Sequence, residues 1–178
     1  MEISQKTLDT AIKVLTWIIF IGLCIEAGAI LFNFVYSAFR PVAANNLYKG
    51  LDLSRLLQND PGHYWAIGTL VFSVMALKAQ VFYKVITTHQ KMDANKPFSP
   101  EVAAGIRQIS YYALWTGLLG LIAEGYLDRL TKLGLDVDAA GTFLDDSKAM
   151  ILMAMVVFFI ARIFQKGIEL QTENDLTV

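Results

Sequence analysis

Apolar residues are gathered into four blocks along the chain, separated by shorter charged stretches. The blocks cover residues 11–39, 64–86, 106–127 and 149–166. A helix needs about 20 residues to cross roughly 30 Å of hydrocarbon, because it rises about 1.5 Å per residue. Blocks this long and this uniformly apolar do not suit the strands of a membrane barrel. The pattern predicts an all-α protein, an integral membrane four-helix bundle that forms one domain over residues 1–178.

The first block also has features of a signal peptide. Lys6 and Lys13 flank the start of its apolar core, and small residues follow at positions 27–29. The apolar run then continues through residues 30–35, interrupted by Asn33. Because a signal peptide has a shorter apolar core, this length predicts a membrane span that stays in the protein.

Composition supports the membrane prediction and excludes several other classes. Apolar residues make up 55% of the chain and charged residues 17%, and the mean hydropathy is +0.47. Ordinary soluble domains have about 25% charged residues. The net charge of −1 provides no basic surface for direct binding of nucleic acid. Cys24 is the single cysteine, so neither an intrachain disulfide nor a cysteine metal cluster is expected.

The distribution of lysine and arginine predicts the orientation of the chain. With the N-terminus inside, the inner segments hold eight of these residues and the outer loops hold six. The second connection, residues 87–108, is short and basic, whereas the third contains several aspartates. By the positive-inside rule, we expect a multi-pass protein of the cell inner (plasma) membrane with both termini in the cytoplasm. The chain then ends in a short cytoplasmic tail.

Four charged residues lie within or at the edges of the apolar blocks: Glu26, Lys78, Glu124 and Arg162. An isolated charge in hydrocarbon costs at least about 2.5–3.5 kcal/mol, so such groups are expected to face other helices and to have partners. Counted along the helices from the inner side, Lys78 lies about 12 Å deep and Glu26 about 21 Å. Their long side chains could nearly close that gap, which predicts a pair between them.

Three roles are open for these four charges. They could form interhelical pairs, or extend to the interface, and so set the register of the bundle. A carboxylate, Glu26 or Glu124, could instead bind a cation or a proton along a pathway, because burial raises the pKa of a carboxyl group. The same residues could also bound a ligand-sensing pocket.

Local patterns predict how the helices begin and pack. Ser99 followed by Pro100 is a helix start, with a capping hydroxyl and a proline in the first turn. Gly117 and Gly120 share a face of the third block, and Gly22 shares a face of the first with Glu26, so both faces are predicted packing seams. Leucines at positions 51–57 predict a short helix lying on the membrane interface.

Catalysis finds little support in the sequence. The two histidines, His63 and His89, lie at opposite ends of the second block and cannot share a metal ion or a catalytic dyad. No nucleophile elbow, phosphate-binding loop or metalloprotease motif is present. We therefore predict no enzyme activity, no cofactor and no metal site.

Two stretches resemble a known family. One is residues 96–101 (Lys-Pro-Phe-Ser-Pro-Glu) followed by 106–109 (Ile-Arg-Gln-Ile), and the other is residues 160–167 running into the chain end, 170–178. Together they resemble an uncharacterised bacterial family of four-span membrane proteins, a domain of unknown function whose members close on a similar acidic tail. The resemblance extends over the whole chain in span order.

The resemblance implies a partner rather than a reaction. Genes of the family often lie beside one for a small Cro-type helix-turn-helix regulator, which implies a membrane protein that holds or signals to a transcription factor. The tail would then be the docking element. Its candidate contact residues are Leu170, Glu173, Asp175, Leu176 and Val178.

The predicted function is therefore that of a non-catalytic membrane regulatory or sensory protein, signalling to a DNA-binding partner. The alternative is a small transporter, or proton or ion carrier, that uses Glu26 and Lys78. A third possibility is a structural membrane protein without a ligand. The tail also has an alternative interpretation without a docking role, in which residues 170–178 are a frayed and solvated helix end.

Overall fold

The chain folds into four long helices joined by short helical connections. The computed structural model describes residues 5–92 and 98–175, with side chains over 7–92 and 98–173. The long helices are α1 (Gln5–Ser37), α3 (Pro61–Gln90), α4 (Pro100–Lys132) and α6 (Ser147–Asp175), and the short elements are a 3-10 helix (Pro41–Asn45), α2 (Ser54–Asn59) and α5 (Asp138–Gly141). The described residues contain no strand. The prediction of an all-α protein is confirmed.

The start of α4 follows the predicted pattern. The Ser99 hydroxyl accepts a hydrogen bond from the Val102 amide at 3.2 Å, Pro100 lies in the first turn, and Glu101 follows it. The hydroxyl satisfies one of the amides that a helix start leaves without a partner, and the acid lies favourably at the positive end of the helix dipole. The predicted helix start is confirmed.

The long helices contact one another in chain order. The extensive contacts are those of α1 with α3, α3 with α4, and α4 with α6. Extensive contact between α1 and α6, which would close the four helices into a ring, does not occur among the described residues. α1 therefore lies at one edge of a row of helices, and its apolar side chains are largely exposed over its first half.

The α4–α6 contact depends on glycine. A Cβ atom on Gly117 would lie 2.5 Å from Ile151 Cγ1 and 2.8 Å from the Ser147 carbonyl oxygen, so α6 approaches α4 here to backbone distance. The predicted seam on α4 is confirmed. On α1 the close approach predicted at Gly22 does not occur, because a Cβ atom there would meet nothing within 4 Å. Glu26 and Asn33, on the same predicted face, do contact the loop that follows α1.

Two connecting segments, residues 38–60 and 133–146, lie at the same end of the helices and form what we call the loop layer. Their apolar side chains join those of α1, α3 and α4 in one core. Leu51, Leu53 and Leu56 are each at most 2% exposed within it. A short helix does form here, α2, but its buried leucines face the protein rather than a lipid surface. The segment folds back onto α1 and α3, which gives these leucines apolar neighbours.

α6 begins well below the end of α4. Ser147, its first residue, packs on Gly120, which lies twelve residues before the end of α4 at Lys132. At about 1.5 Å per residue, that is about 18 Å along the helix. The second segment of the loop layer thus runs back along the helices before α6 starts.

Three of the four long helices are long and apolar enough to cross a membrane. They are Thr7–Ser37, Pro61–Gln90 and Ser147–Glu173, judged by length and composition. α4 has 33 residues, so it is long enough, but it is the least apolar of the four helices and does not join this set. The architecture is compatible with a membrane protein.

The seam gives a first testable prediction. Gly117→Ala places a methyl group against the backbone of α6, so we expect it to lower the free energy of unfolding by about 1–3 kcal/mol. Thermal unfolding of the detergent-solubilised protein would measure the change. Gly125→Ala is the matched control on the same helix, because its Cβ atom would meet nothing within 4 Å. Equal behaviour of the two variants would contradict the close contact.

Candidate functional site

Lys78 is the most deeply buried charge among the described residues and faces the protein. Its side chain is 11% exposed, and its ammonium group lies 2.7 Å from Asp146 Oδ1. The same group donates a hydrogen bond to the Phe143 carbonyl at 2.8 Å. Two partners from the loop layer thus compensate the buried charge, as a buried ammonium requires.

The prediction for Lys78 is correct in direction and wrong in partner. Lys78 does face other helices and does meet a carboxylate, but the carboxylate is Asp146 rather than Glu26. From the sequence alone, the aspartates of the third connection were expected in an outer loop, beyond the ends of the helices and far from Lys78. The loop layer instead runs back along α3 and α4, which brings the start of α6 to the level of Lys78. The acid pair at positions 145–146, just before an apolar block, was the available signal.

Glu26 binds the other segment of the loop layer. Its carboxylate accepts a hydrogen bond from the Lys49 ammonium group at 2.6 Å; the Glu26 side chain is 19% exposed and that of Lys49 is 65% exposed. The hydrogen bond, and next the negative charge of Glu26, hold the pKa of Lys49 above its usual value of 10.5. Lys49 (φ 45°) and Gly50 (φ 82°) both adopt left-handed backbone.

The turn that presents Lys49 is tight. The Leu51 amide donates to the Tyr48 carbonyl at 2.9 Å across the two left-handed residues. A left-handed backbone costs a residue with a Cβ atom about 1–2 kcal/mol, whereas glycine adopts it readily. The ion pair with Glu26 gives Lys49 a compensating interaction at this strained position. In the sequence, lysine followed by glycine in this connection was a weak signal for such a turn.

Two further hydrogen bonds attach α1 to its surroundings. The Asn33 amide group donates to the Leu47 carbonyl at 2.7 Å, and the Ser37 hydroxyl lies 2.5 Å from the Tyr64 hydroxyl. Together with Glu26, these polar side chains hold residues 38–60 and α3 against the end of α1. The polar face of α1 is thus occupied by structural contacts.

The other two predicted charges lie elsewhere. Glu124 is half-buried on α4 and forms no ion pair within the described ranges. Arg162 is exposed on α6, where it lines a groove with Arg107, Lys166 and Glu169. The structure therefore does not bring Glu26, Lys78, Glu124 and Arg162 together. The four side chains therefore do not form one set of interhelical ion pairs, because α1 and α6 lie at opposite edges of the row.

The histidines occupy two unrelated environments. His63 Nδ1 lies 2.5 Å from the Tyr126 hydroxyl, and His63 Nε2 lies 3.5 Å from Asp60 Oδ2. His89 Nε2 is buried without a hydrogen-bond partner in the described part of the chain, beside a cavity of about 180 Å³ between α1 and α3. Within residues 5–92 and 98–175, no group of three or more histidine, cysteine or acidic side chains is placed to hold a metal ion.

The structure describes only some of the predicted docking residues. Leu170 is 56% exposed and Glu173 is exposed, both on the last turns of α6. Asp175 is the last residue of α6, and its side chain lies outside the described set. Leu176 and Val178 lie outside the described residues.

The fold and the buried charges define the class first: a helical protein, compatible with a membrane, whose buried polar contacts attach a loop layer to long apolar helices. The chain belongs to the family described as "Protein of unknown function (DUF2975)", which matches residues 52–178. No curated protein matches the chain, and no solved structure does. The match includes Lys78, Asp146 and Arg162, and it leaves out α1 with Glu26.

The Lys78 contacts give a second prediction. Lys78→Met removes the ammonium group from Asp146 and from the Phe143 carbonyl, so we expect a loss of about 1–3 kcal/mol in the free energy of unfolding. A double-mutant cycle with Asp146→Asn should show coupling between the two positions. Arg55→Met is the control, because the Arg55–Asp136 pair is 3.9 Å long and largely exposed, and such pairs contribute less than about 1 kcal/mol. A Lys78 variant no less stable than the control would refute a stabilising Lys78–Asp146 pair.

The raised pKa of Lys49 gives a third prediction. A basic group whose pKa is higher in the folded protein stabilises the fold fully below its usual value, here 10.5, and loses this contribution as the pH rises through the folded value. The melting temperature of wild type should therefore exceed that of Lys49→Met at neutral pH, and the difference should vanish in strong alkali. Lys132→Met, at an exposed lysine on α4, controls for general effects of pH. A difference that persists in alkali would exclude the ion pair as its cause.

Proposed function

We propose that the protein is a multi-pass component of the plasma membrane, crossed by α1, α3, α4 and α6, with both termini in the cytoplasm. α4 would be the fourth span: its 33 residues extend about 50 Å, and its less apolar face packs between α3 and α6. The aspartate-rich loop layer lies at one end of the helices, while Arg107, Arg162 and Lys166 lie towards the other. The positive-inside rule then orients the chain with the loop layer outside.

The function we propose is that of a non-catalytic regulatory or sensory membrane protein. The observation that carries it is the continuity of α6, a single helix of 29 residues, about 44 Å long, from the loop layer to the tail. Its start follows Asp146 directly, the residue that binds Lys78. Its other end presents Leu170 and Glu173 to solvent.

This arrangement links two distant ends mechanically. A change in the loop layer that alters the Asp146–Lys78 contact acts on the first turn of α6. Ile151, one turn further along, packs on Gly117 at backbone distance and would serve as the pivot. Because a helix is stiff over this length, a tilt at the start would displace the tail. Such coupling needs no chemistry at either end.

For the partner, we propose a small Cro-type helix-turn-helix regulator that docks on the tail. Support for this partner comes from the resemblance of residues 96–109 and 160–178 to the family. The exposed Leu170 and Glu173 offer an apolar anchor beside a negative charge, which suits a modest, reversible contact. Direct contact of this chain with nucleic acid is not proposed, because its net charge is −1.

The carrier alternative would need Glu26 and Lys78 on a shared path. Glu26 instead pairs with Lys49, and Lys78 with Asp146, in two different segments of the loop layer. Both pairs hold connecting segments to helices, which favours the structural role of these charges within a regulator.

Two variants separate the regulator from the carrier. Deleting residues 173–178 should abolish control of the regulator's promoter, measured with a transcriptional reporter. Membrane levels should stay unchanged, because the deletion removes only the last polar residues of α6 and none of its apolar part. Glu26→Gln should leave that control in place, whereas a carrier would lose transport with Glu26→Gln and keep it after the deletion. If the truncated protein still controls the promoter normally, the tail is not the docking element.

A further inference from the structure

A groove between α4 and α6 lies towards the end of the helices away from the loop layer. Its volume is about 680 Å³. Arg107 from α4 and Arg162, Lys166 and Glu169 from α6 contribute its charged lining. Gly167, beside Lys166, packs against Phe98 just before α4, which fixes this part of α6 against the start of α4.

The lining of the groove is positively charged. Three basic side chains face a single carboxylate, that of Glu169, and this carboxylate is already bound by Lys166 at 2.9 Å. The guanidinium groups of Arg107 and Arg162 lie within 4.0 Å of no described carboxylate, although Arg162 is close enough to Glu169 to interact with it electrostatically. The net charge of +2 favours an anionic ligand, and two guanidinium groups suit the planar, paired hydrogen bonds that phosphate oxygens accept.

The groove continues into an apolar cleft. A second cavity of about 320 Å³ shares Tyr111 and Phe158 with the first and is lined further by Leu114 and Met155. Arg107, Tyr111 and Leu114 follow one another along the same face of α4, over about 10 Å. The lining therefore changes from cationic to apolar in the direction of the loop layer.

We propose that this continuous groove is a binding site for an anionic phospholipid of the surrounding bilayer. The phosphate would lie between Arg107 and Arg162, and an acyl chain would lie against Leu114 and Met155. Arg162 lies within the apolar helix Ser147–Glu173, where a guanidinium group needs a counter-ion. A phospholipid supplies both a negative phosphate and an acyl chain, whereas a free anion supplies only the charge. The inference rests on the membrane setting proposed above.

The headgroup is tested with the full chain. Purified protein would be exchanged into nanodiscs of mixed phosphatidylglycerol and phosphatidylethanolamine, and the lipid retained after extraction counted by native mass spectrometry. Wild type should retain phosphatidylglycerol selectively. Arg107→Gln with Arg162→Gln should reduce that retention by at least about tenfold, since the loss of even one charge-assisted hydrogen bond has about that effect. Arg129→Gln with Lys132→Gln, at exposed bases near the loop layer, is the matched control and should retain the lipid.

The acyl chain is tested separately. Phosphatidylglycerol with a photoactivatable group on its chain should label peptides containing residues 111–114 and 154–159, and excess inorganic phosphate should not compete. Labelling spread equally over the exposed face of α1, equal retention of both lipids, or loss in the control variant would overturn the site. Failure to enter the nanodisc would instead contradict the membrane setting, so the two failures are distinguishable.

Discussion

The ammonium group of Lys78 joins the middle of α3 to the segment that leads into α6. A buried positive charge without partners is costly, so the segment that packs over Lys78 must supply hydrogen-bond acceptors for its ammonium group. Asp146 and the Phe143 carbonyl do so at 2.7 and 2.8 Å. The position of α6 follows from this contact, because Ser147 comes directly after Asp146. The seam with α4 and the groove near its far end both depend on where α6 begins.

The loop layer behaves as part of the core rather than as surface connection. Residues 38–60 place Leu47, Leu51 and Leu53 at no more than 1% exposure, against α1 and α3. Their backbone is held by Asn33 and by the Glu26–Lys49 pair. Polar residues on apolar helices thus act here as attachment points for the loop layer.

α6 combines the two functions inferred for the protein. Its first turn meets the loop layer, its middle forms the seam at Gly117, and Arg162 and Lys166 line the groove near its end. An anionic lipid in that groove would contact the same helix whose far end the regulator is proposed to bind. Lipid composition and tail position would then be coupled through one rigid element, since a bound lipid stabilises the arrangement of α4 and α6 that it fits.

The sequence by itself determined the helical class, the four apolar blocks and the start of α4 at Ser99, because these depend on local periodicity and capping within a few residues. It also indicated that Lys78 turns inward, since burial of a charge restricts its direction whatever the fold. The partner of Lys78, the burial of Leu51 and Leu53, and the meeting of Arg107 with Arg162 depend on how connecting segments fold back between helices far apart in sequence. Counting residues measures depth along one helix and carries no information about where a connecting segment folds back. Only the tertiary structure, where α6 begins about 18 Å below the end of α4, decided which charges meet.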